Sequence, residues 1–350
     1  MKKQLIAAAV ATAIAVPMAA SADVTVYGKL HYSITDLDLD AGAGVPADTD
    51  WDDAAVDGTH VMSHDSFFGI KGSEDLGNGL SAVFQMEFSI SADDLGSVNN
   101  DHNTYVALAG SWGVAGIGQV DTPLNSSTAS LELFDQQIGD NDQLGFNNIR
   151  LANAVFYMSP NWNGLTVVAG VGMPSASNDI DGVEAVSVAA MYSNGPWFAS
   201  LAYEEVSEEL TSAIAGAAAG SDFDKWRLGL GYTANGFHVG FIYEDRDVDV
   251  LGDSDSWQLS ASYTAGNNTF KVAYGQADDW GITGTSAPYL IDDAEQWTIG
   301  IDHKLSNRTK IYAAYSNYED DQLVVVGGLA APIVAPKEWD AFSLGIIHTF

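Results

Sequence analysis

From residue 23 to residue 350, apolar and polar side chains alternate with a period of two, and the connections between the alternating runs are short and long by turns. Trp226, Leu228, Leu230 and Tyr232 interleave with Lys225, Arg227, Gly229, Gly231 and Thr233; Trp257, Leu259, Ala261 and Tyr263 interleave with Ser256, Gln258, Ser260, Ser262 and Thr264. This is the pattern of a strand whose two faces meet different surroundings. Short connections fall at 75–79, 110–113, 159–164, 193–196, 233–236, 265–268 and 305–309, and long ones at 36–59, 91–101, 121–149, 174–183, 207–221, 247–254, 279–291 and 321–337. Seven short and eight long connections predict about sixteen strands. A soluble sandwich has no reason to lengthen every second connection, whereas an outer-membrane barrel has short turns at its periplasmic end and long loops outside.

The strand termini agree. Each apolar face is bracketed by Trp or Tyr, as amphipathic rings bracket the hydrocarbon at both membrane interfaces. Backbone groups cannot stay unpaired in lipid, so such a sheet must close on itself. About sixteen strands make a barrel wide enough for an aqueous channel. The expected fold is an all-β, 16-stranded antiparallel transmembrane barrel occupying residues 23–350 as one domain.

Residues 1–22 have the form of a cleaved export signal: basic Lys2 and Lys3, an apolar stretch from Leu5 to Val16, and Ala20-Ser21-Ala22 as a cleavage site. No later apolar run approaches the roughly 20 residues of a spanning helix. Cysteine is absent, so no disulfide staples the exported chain. With the signal removed, 13 − 2 = 11 Lys+Arg stand against 47 Asp+Glu, a balance of −36. That charge repels nucleic acid and anionic membrane surfaces; it reads either as solubility or adaptation to a salty medium or as an interior field that favours cations, and the two are compatible.

The stretch "FGIKGSEDLGNGLSAVFQMEF" (68–88) resembles the second and third strands of the general diffusion porins of Gram-negative outer membranes. "DTPL" (121–124) is similar to the start of their constriction loop, "RLANAVFYMSP" (150–160) to the strand that follows it, and the terminal Phe350 to their aromatic assembly signal. The resemblance implies a barrel in the outer membrane of a Gram-negative bacterium, usually a homotrimer, inserted by the barrel-assembly machinery through Phe350. It also implies a third loop folded into the lumen against a basic wall. No cofactor, metal or enzymatic activity is expected; the permeants would be small hydrophilic solutes and cations.

Under that resemblance the inward loop is 121–149, with Ser127 and Ser130 capping a helical turn or two through Leu131–Gln137. Its acidic groups are Asp121, Glu132, Asp135, Asp140 and Asp142. The family usually lines the opposite wall with Arg, and here the matching positions hold Phe67, His102 and Gln119, with Gln85 and Glu87 beside them. Lys29, Lys71 and Arg150 remain as basic wall groups. The constriction is therefore expected to be net acidic and to favour cations. In the hairpin 66–88, Phe68, Ile70, Leu80, Phe84, Met86 and Phe88 are expected to face lipid, and Lys71, Gln85 and Glu87 the lumen, which makes Phe67 a ring at a lumenal position.

"ALAGSWGVAGIG" (107–118) reads either as a small-residue trimer contact or as a wall kept thin for the loop. His60 and His64 lie roughly 13 Å apart on an extended strand, too far to share a metal. "DTDWDD" (48–53) lacks the Gly and Glu of a calcium loop, and "GLGYTA" (229–234) leads into a strand rather than the helix a dinucleotide site needs. A substrate-selective channel, or an adhesin acting through outer-loop aromatics such as Trp51 and Trp280, are the alternative readings.

Overall fold

The computed structural model describes residues 23–41, 57–91, 97–99, 102–146, 148–173, 183–207, 222–249, 252–278, 280–281, 289–291, 293–320, 323–324, 333–334 and 337–350. The signal segment, Trp51, the 48–53 motif and most of the outer-loop residues lie outside them.

Sixteen antiparallel strands form a closed barrel. They are β1 (Asp23–Ala41), β2 in two pieces (Gly58–Ser63 and Phe67–Gly77), β3 (Leu80–Ser91), β4 in two pieces (Ser97–Asn99 and Thr104–Gly110), β5 (Gly113–Asp121), β6 (Arg150–Met158), β7 (Leu165–Gly172), β8 (Ala185–Asn194), β9 (Trp197–Val206), β10 (Phe223–Ala234), β11 (Phe237–Val248), β12 (Gly252–Ala265), β13 (Asn268–Ala277), β14 (Ala294–Lys304), β15 (Thr309–Asp320) and β16 (Lys337–Thr349). Each pairs with its neighbours in sequence, and β16 closes on β1 from Lys29↔Thr349 to Ala41↔Lys337. Phe350 completes the seam: its N–H donates to the Gly28 carbonyl at 3.1 Å and its carbonyl accepts the Gly28 N–H at 3.3 Å. Gly28 must be glycine, because a Cβ there would lie 2.6 Å from the Phe67 carbonyl oxygen. No helix is long and apolar enough to cross a membrane among the described residues.

Registers carry the two faces around the sheet. Phe68 pairs with Phe88 and Ile70 with Met86 outside, while Lys71 pairs with Gln85 inside. The aromatic brackets become two girdles: Trp197 lies against Tyr232 and Phe237 against Tyr263 near the short turns, and Tyr203 against Trp226 and Trp297 against Tyr315 at the other end. From Trp226 to Tyr232 is about 20 Å of strand at ~3.3 Å per residue, close to the apolar band of such barrels.

Two connections differ from expectation. Residues 247–254 read as a long loop, but β11 and β12 stay paired to Val248↔Gly252, leaving only 249–251 between them. Strands that rise above the lipid carry acidic residues outward into water, so Asp245 and Asp247 have the composition of a loop while forming a ladder. β1 likewise continues beyond Asp36 to Ala41. Four short outer segments, 280–281, 289–291, 323–324 and 333–334, form a separate small sheet that takes in the backbone of Trp280.

Candidate functional site

The long connection 121–149 lies inside the barrel. Its helix, α1 (Pro123–Thr128), starts earlier than expected: Thr122 Oγ1 accepts the Asn125 N–H at 3.1 Å and proline occupies the first turn, where its missing N–H costs nothing. Residues 131–137, expected to be helical, form turns instead. The reason is the wall. Leu131, Phe134, Ile138, Leu144 and Phe146 are all inserted into one apolar cluster with Ile242, Tyr312, Tyr318 and Trp339 of the inner surface. Wall donors take carbonyls that a helix would have used: Ser260 Oγ donates to Leu131 O at 2.9 Å, Lys271 Nζ to Leu133 O at 3.0 Å and Ser256 Oγ to Leu144 O at 2.7 Å. A 3₁₀ turn (Asn141–Leu144) ends at Gly145, whose φ of +78° favours glycine.

Beneath the loop lies an ionic cluster of the wall. Arg227 and Glu244 are fully buried and 2.6 Å apart, with Arg246 Nε at 3.7 Å and Lys225 Nζ at 3.9 Å from the same carboxylate. Arg227 also donates to the loop, at 2.8 Å to Asn148 Oδ1 and at 3.4 Å to Thr128 Oγ1 and Phe146 O. One guanidinium thus ties strands β10 and β11 to both limbs of the loop. The base of the loop is tied separately, by Arg150 Nε donating to Asp121 at 2.7 Å and by Asn103 clasping Asp121 from β4. Arg150 therefore sits at the loop's root.

The loop's other carboxylates crowd one another. Burial first, then the charges of Asp135 and Asp140, push Glu132 up to about 8. Burial and Glu132 push Asp142 up to about 7, and burial with Asp142 and Asp135 as neighbours raises Asp140 well above the usual carboxylate range. Asp135 is the loop carboxylate most open to lumenal water, yet the barrel encloses it and its pKa is raised too; Lys29 and Lys310 oppose that rise while Asp65 and Asp121 add to it. The charges acting on Asp135 are therefore those of the facing wall, whereas Arg227 acts on Glu132 and Asp142.

That facing wall is built from β1 to β5. A break in β2 at His64–Ser66, with Asp65 at φ 40° and Ser66 bonded to both backbone groups of His31, turns Asp65 into the lumen. There Asp65 meets Lys29 Nζ at 2.7 Å and His102 Nε2 at 3.0 Å. Phe67 stacks on His102 at 5.3 Å and meets Tyr27 edge-on at 6.0 Å, with Lys29 Nζ 5.7 Å from its centroid. Tyr27 donates to Glu87 at 2.6 Å and lies under Lys71 Nζ at 4.5 Å. Gln119 donates to the His102 carbonyl at 3.0 Å, and Gln85 accepts from Tyr105 at 3.3 Å.

So Lys29, Phe67, Lys71, Glu87 and His102 converge on one wall, and Tyr27 and Asp65 join them unforeseen. Asp65 was hidden because only a strand break points it inward. The buried Lys225, Arg227, Glu244 and Arg246 were also missed as a site, although alternation puts Lys225 and Arg227 on the polar face and the register pairs Arg227 with Glu244. In 107–118 most of the small residues point inward: Ala107 and Ala109 are buried with Val83, Val114, Tyr105 and Phe156. Val106, Leu108 and Ile117 form the outward surface, so this stretch presents no outward small-residue stripe. His64 packs against His31, ring centroids 4.6 Å apart, and no metal cluster occurs among the described residues.

Residues 7–323 match the Gram-negative porin family. The outer membrane porin protein 32 of Delftia acidovorans is 29% identical over 379 residues, covering 100% of both chains. A solved structure described as an anion-selective porin from Comamonas acidovorans superposes with a TM-score of 0.72 at 23% identity, covering 94% of this chain and 100% of that one. The in-vitro folded OmpT of Vibrio cholerae in its trimer form gives 0.66 at 16% identity, over 94% and 100%. A closed sixteen-stranded barrel with a loop folded into its lumen, matched along most of its length by these relatives, places this chain in the Gram-negative porin family, in the outer membrane.

Proposed function

We propose that the channel is a cation-preferring general diffusion pore whose constriction lies between the loop 121–149 and the wall of Lys29, Phe67, Lys71, Glu87 and His102. The observation that carries this reading is the charge across the lumen. Asp135 on the loop stands in the field of Asp65 and Asp121, three carboxylates against the two ammonium groups of Lys29 and Lys310. Lys29 is further tied to Asp65, which leaves its charge half-spent. Acidic rings in pores favour cations. The wall ring of Phe67 adds width control without charge. The anion-selective description belongs to a chain 23% identical, a likeness that carries the fold alone.

A reversal potential measured across a tenfold KCl gradient tests the reading: a value toward the potassium equilibrium potential is expected, and one toward chloride overturns it. A Phe67→Arg variant should move that potential toward chloride, with a several-fold drop in the cation-to-anion permeability ratio. No movement would place residue 67 away from the narrowest point. Large ohmic currents unaffected by added solutes are expected; block by one solute class would show a substrate-selective channel instead. We further propose residues 1–22 as a cleaved export signal and a homotrimeric assembly, for which the trimer form of a fold neighbour is the support.

A further inference from the structure

Among the eleven basic residues outside the amino-terminal segment, most are spoken for. Lys29, Arg150, Lys225, Arg227, Arg246, Lys271 and Lys310 all lie within 4 Å of a carboxylate. Lys304 and Arg308 do not, among the described residues. Both line one cavity of about 300 Å³ at the short-turn end of β13 to β16, together with Asn267, Thr309 and Lys310.

The arrangement is electrostatically costly. Lys304 stands directly opposite Lys310 across the β14–β15 ladder, a placement of like charges that destabilises a sheet. The one nearby carboxylate, Asp302, is shared between Lys271 at 3.0 Å and Lys310 at 2.8 Å. The cavity lining carries three cations and one anion, a local charge of 3 − 1 = +2. Residues Ala294, Gln296 and Thr298, on the same face of β14 as Asp302 and Lys304, are buried beneath the inserted loop, so this face is lumenal. The cavity therefore opens on the water column at the periplasmic mouth rather than on lipid.

We propose that this cavity is an anion-binding subsite of the periplasmic vestibule, which takes a small soluble solute bearing a phosphate or carboxylate group. A guanidinium and an ammonium group without protein partners among the described residues supply charge-assisted bonds, Arg308 in bidentate form, and the Asn267 amide supplies a neutral one. The volume exceeds that of inorganic phosphate and admits a phosphorylated or dicarboxylic solute of several heavy atoms. Occupancy relieves the Lys304–Lys310 repulsion, which gives the bound state its advantage. The subsite rests on the channel reading for its place in the pathway, whereas binding itself requires only the folded barrel.

Equilibrium dialysis of radiolabelled inorganic phosphate against the detergent-solubilised porin at low chloride tests it. Saturable binding of one phosphate per chain is expected, weakened at least fivefold in Lys304→Gln/Arg308→Gln and retained in Lys304→Arg/Arg308→Lys and in Lys71→Gln. Absence of saturable binding, or binding undiminished in the double glutamine variant, overturns the subsite. The KCl reversal potential of the same sample reports separately on cation preference, so either reading can fail without the other.

Discussion

Glu244→Ala costs the barrel about 3–5 kcal/mol, the penalty for leaving buried charge without its partner, and lets the inserted loop leave its wall. The carboxylate that disappears is fully buried and sits among Arg227, Lys225 and Arg246. Three cations then repel one another where water cannot screen them. Arg227 is the group that holds Asn148, Phe146 and Thr128 of the loop, so its displacement is transmitted directly to the constriction. The loss is read as earlier unfolding in detergent, by gel mobility or tryptophan fluorescence. Bilayer recordings should show a larger and noisier conductance. Glu244→Gln, which keeps the shape and one acceptor, should lose less. Wild-type stability together with wild-type conductance in Glu244→Ala would show that the apolar cluster of Leu131, Phe134 and Ile138 alone holds the loop.

Acidification from pH 9 to pH 5 should lower both conductance and cation preference. Glu132 titrates at about 8 and Asp142 at about 7, with Asp140 raised as well, so the loop sheds negative charge across this window. The sign for loop docking follows from linkage. A carboxyl whose folded pKa is raised holds a proton that the undocked chain releases. Its docking is strongest below the undocked pKa, near 4.5 for Glu132, and weakens as pH rises to the folded value. The loop is consequently seated more tightly at pH 5 and more loosely at pH 9. The groups facing it are Arg227 and Lys225 on the wall beneath, and Lys29, Lys310, Asp65 and Asp121 around Asp135. A Glu132→Gln/Asp142→Asn variant tests the assignment, since it should flatten the pH dependence of conductance; an unchanged profile would remove the loop from the explanation.

The order of turns and loops made the strand number legible because connection length depends on which side of the membrane a connection lies. The opening hairpin was legible down to single residues, with Phe68 and Met86 outside and Lys71 and Gln85 inside, because the pleat forces neighbours to opposite faces. The same rule failed at Asp65, where the strand breaks, and at 247–254, where acidic composition stood in for a loop. The helix in the inserted loop was placed one segment too late. Ser127 and Ser130 read locally as caps, but Thr122 and Pro123 start the helix, and the apolar side chains of 131–138 answer to the wall rather than to helical periodicity.

Lipid face, lumenal face and barrel size were determined by the sequence, since period-two alternation is a local property. Which lumenal charges meet water and which are sealed beneath the loop was decided only by tertiary structure. Arg227 and Lys29 both lie on the lumenal faces of their strands, yet one is buried against Asn148, 79 residues away in sequence, and the other lines the open wall with Asp65. Burial of that kind depends on how a distant loop docks, and docking is set by side-chain shape and hydrogen bonding across the barrel, which no periodicity along the chain encodes.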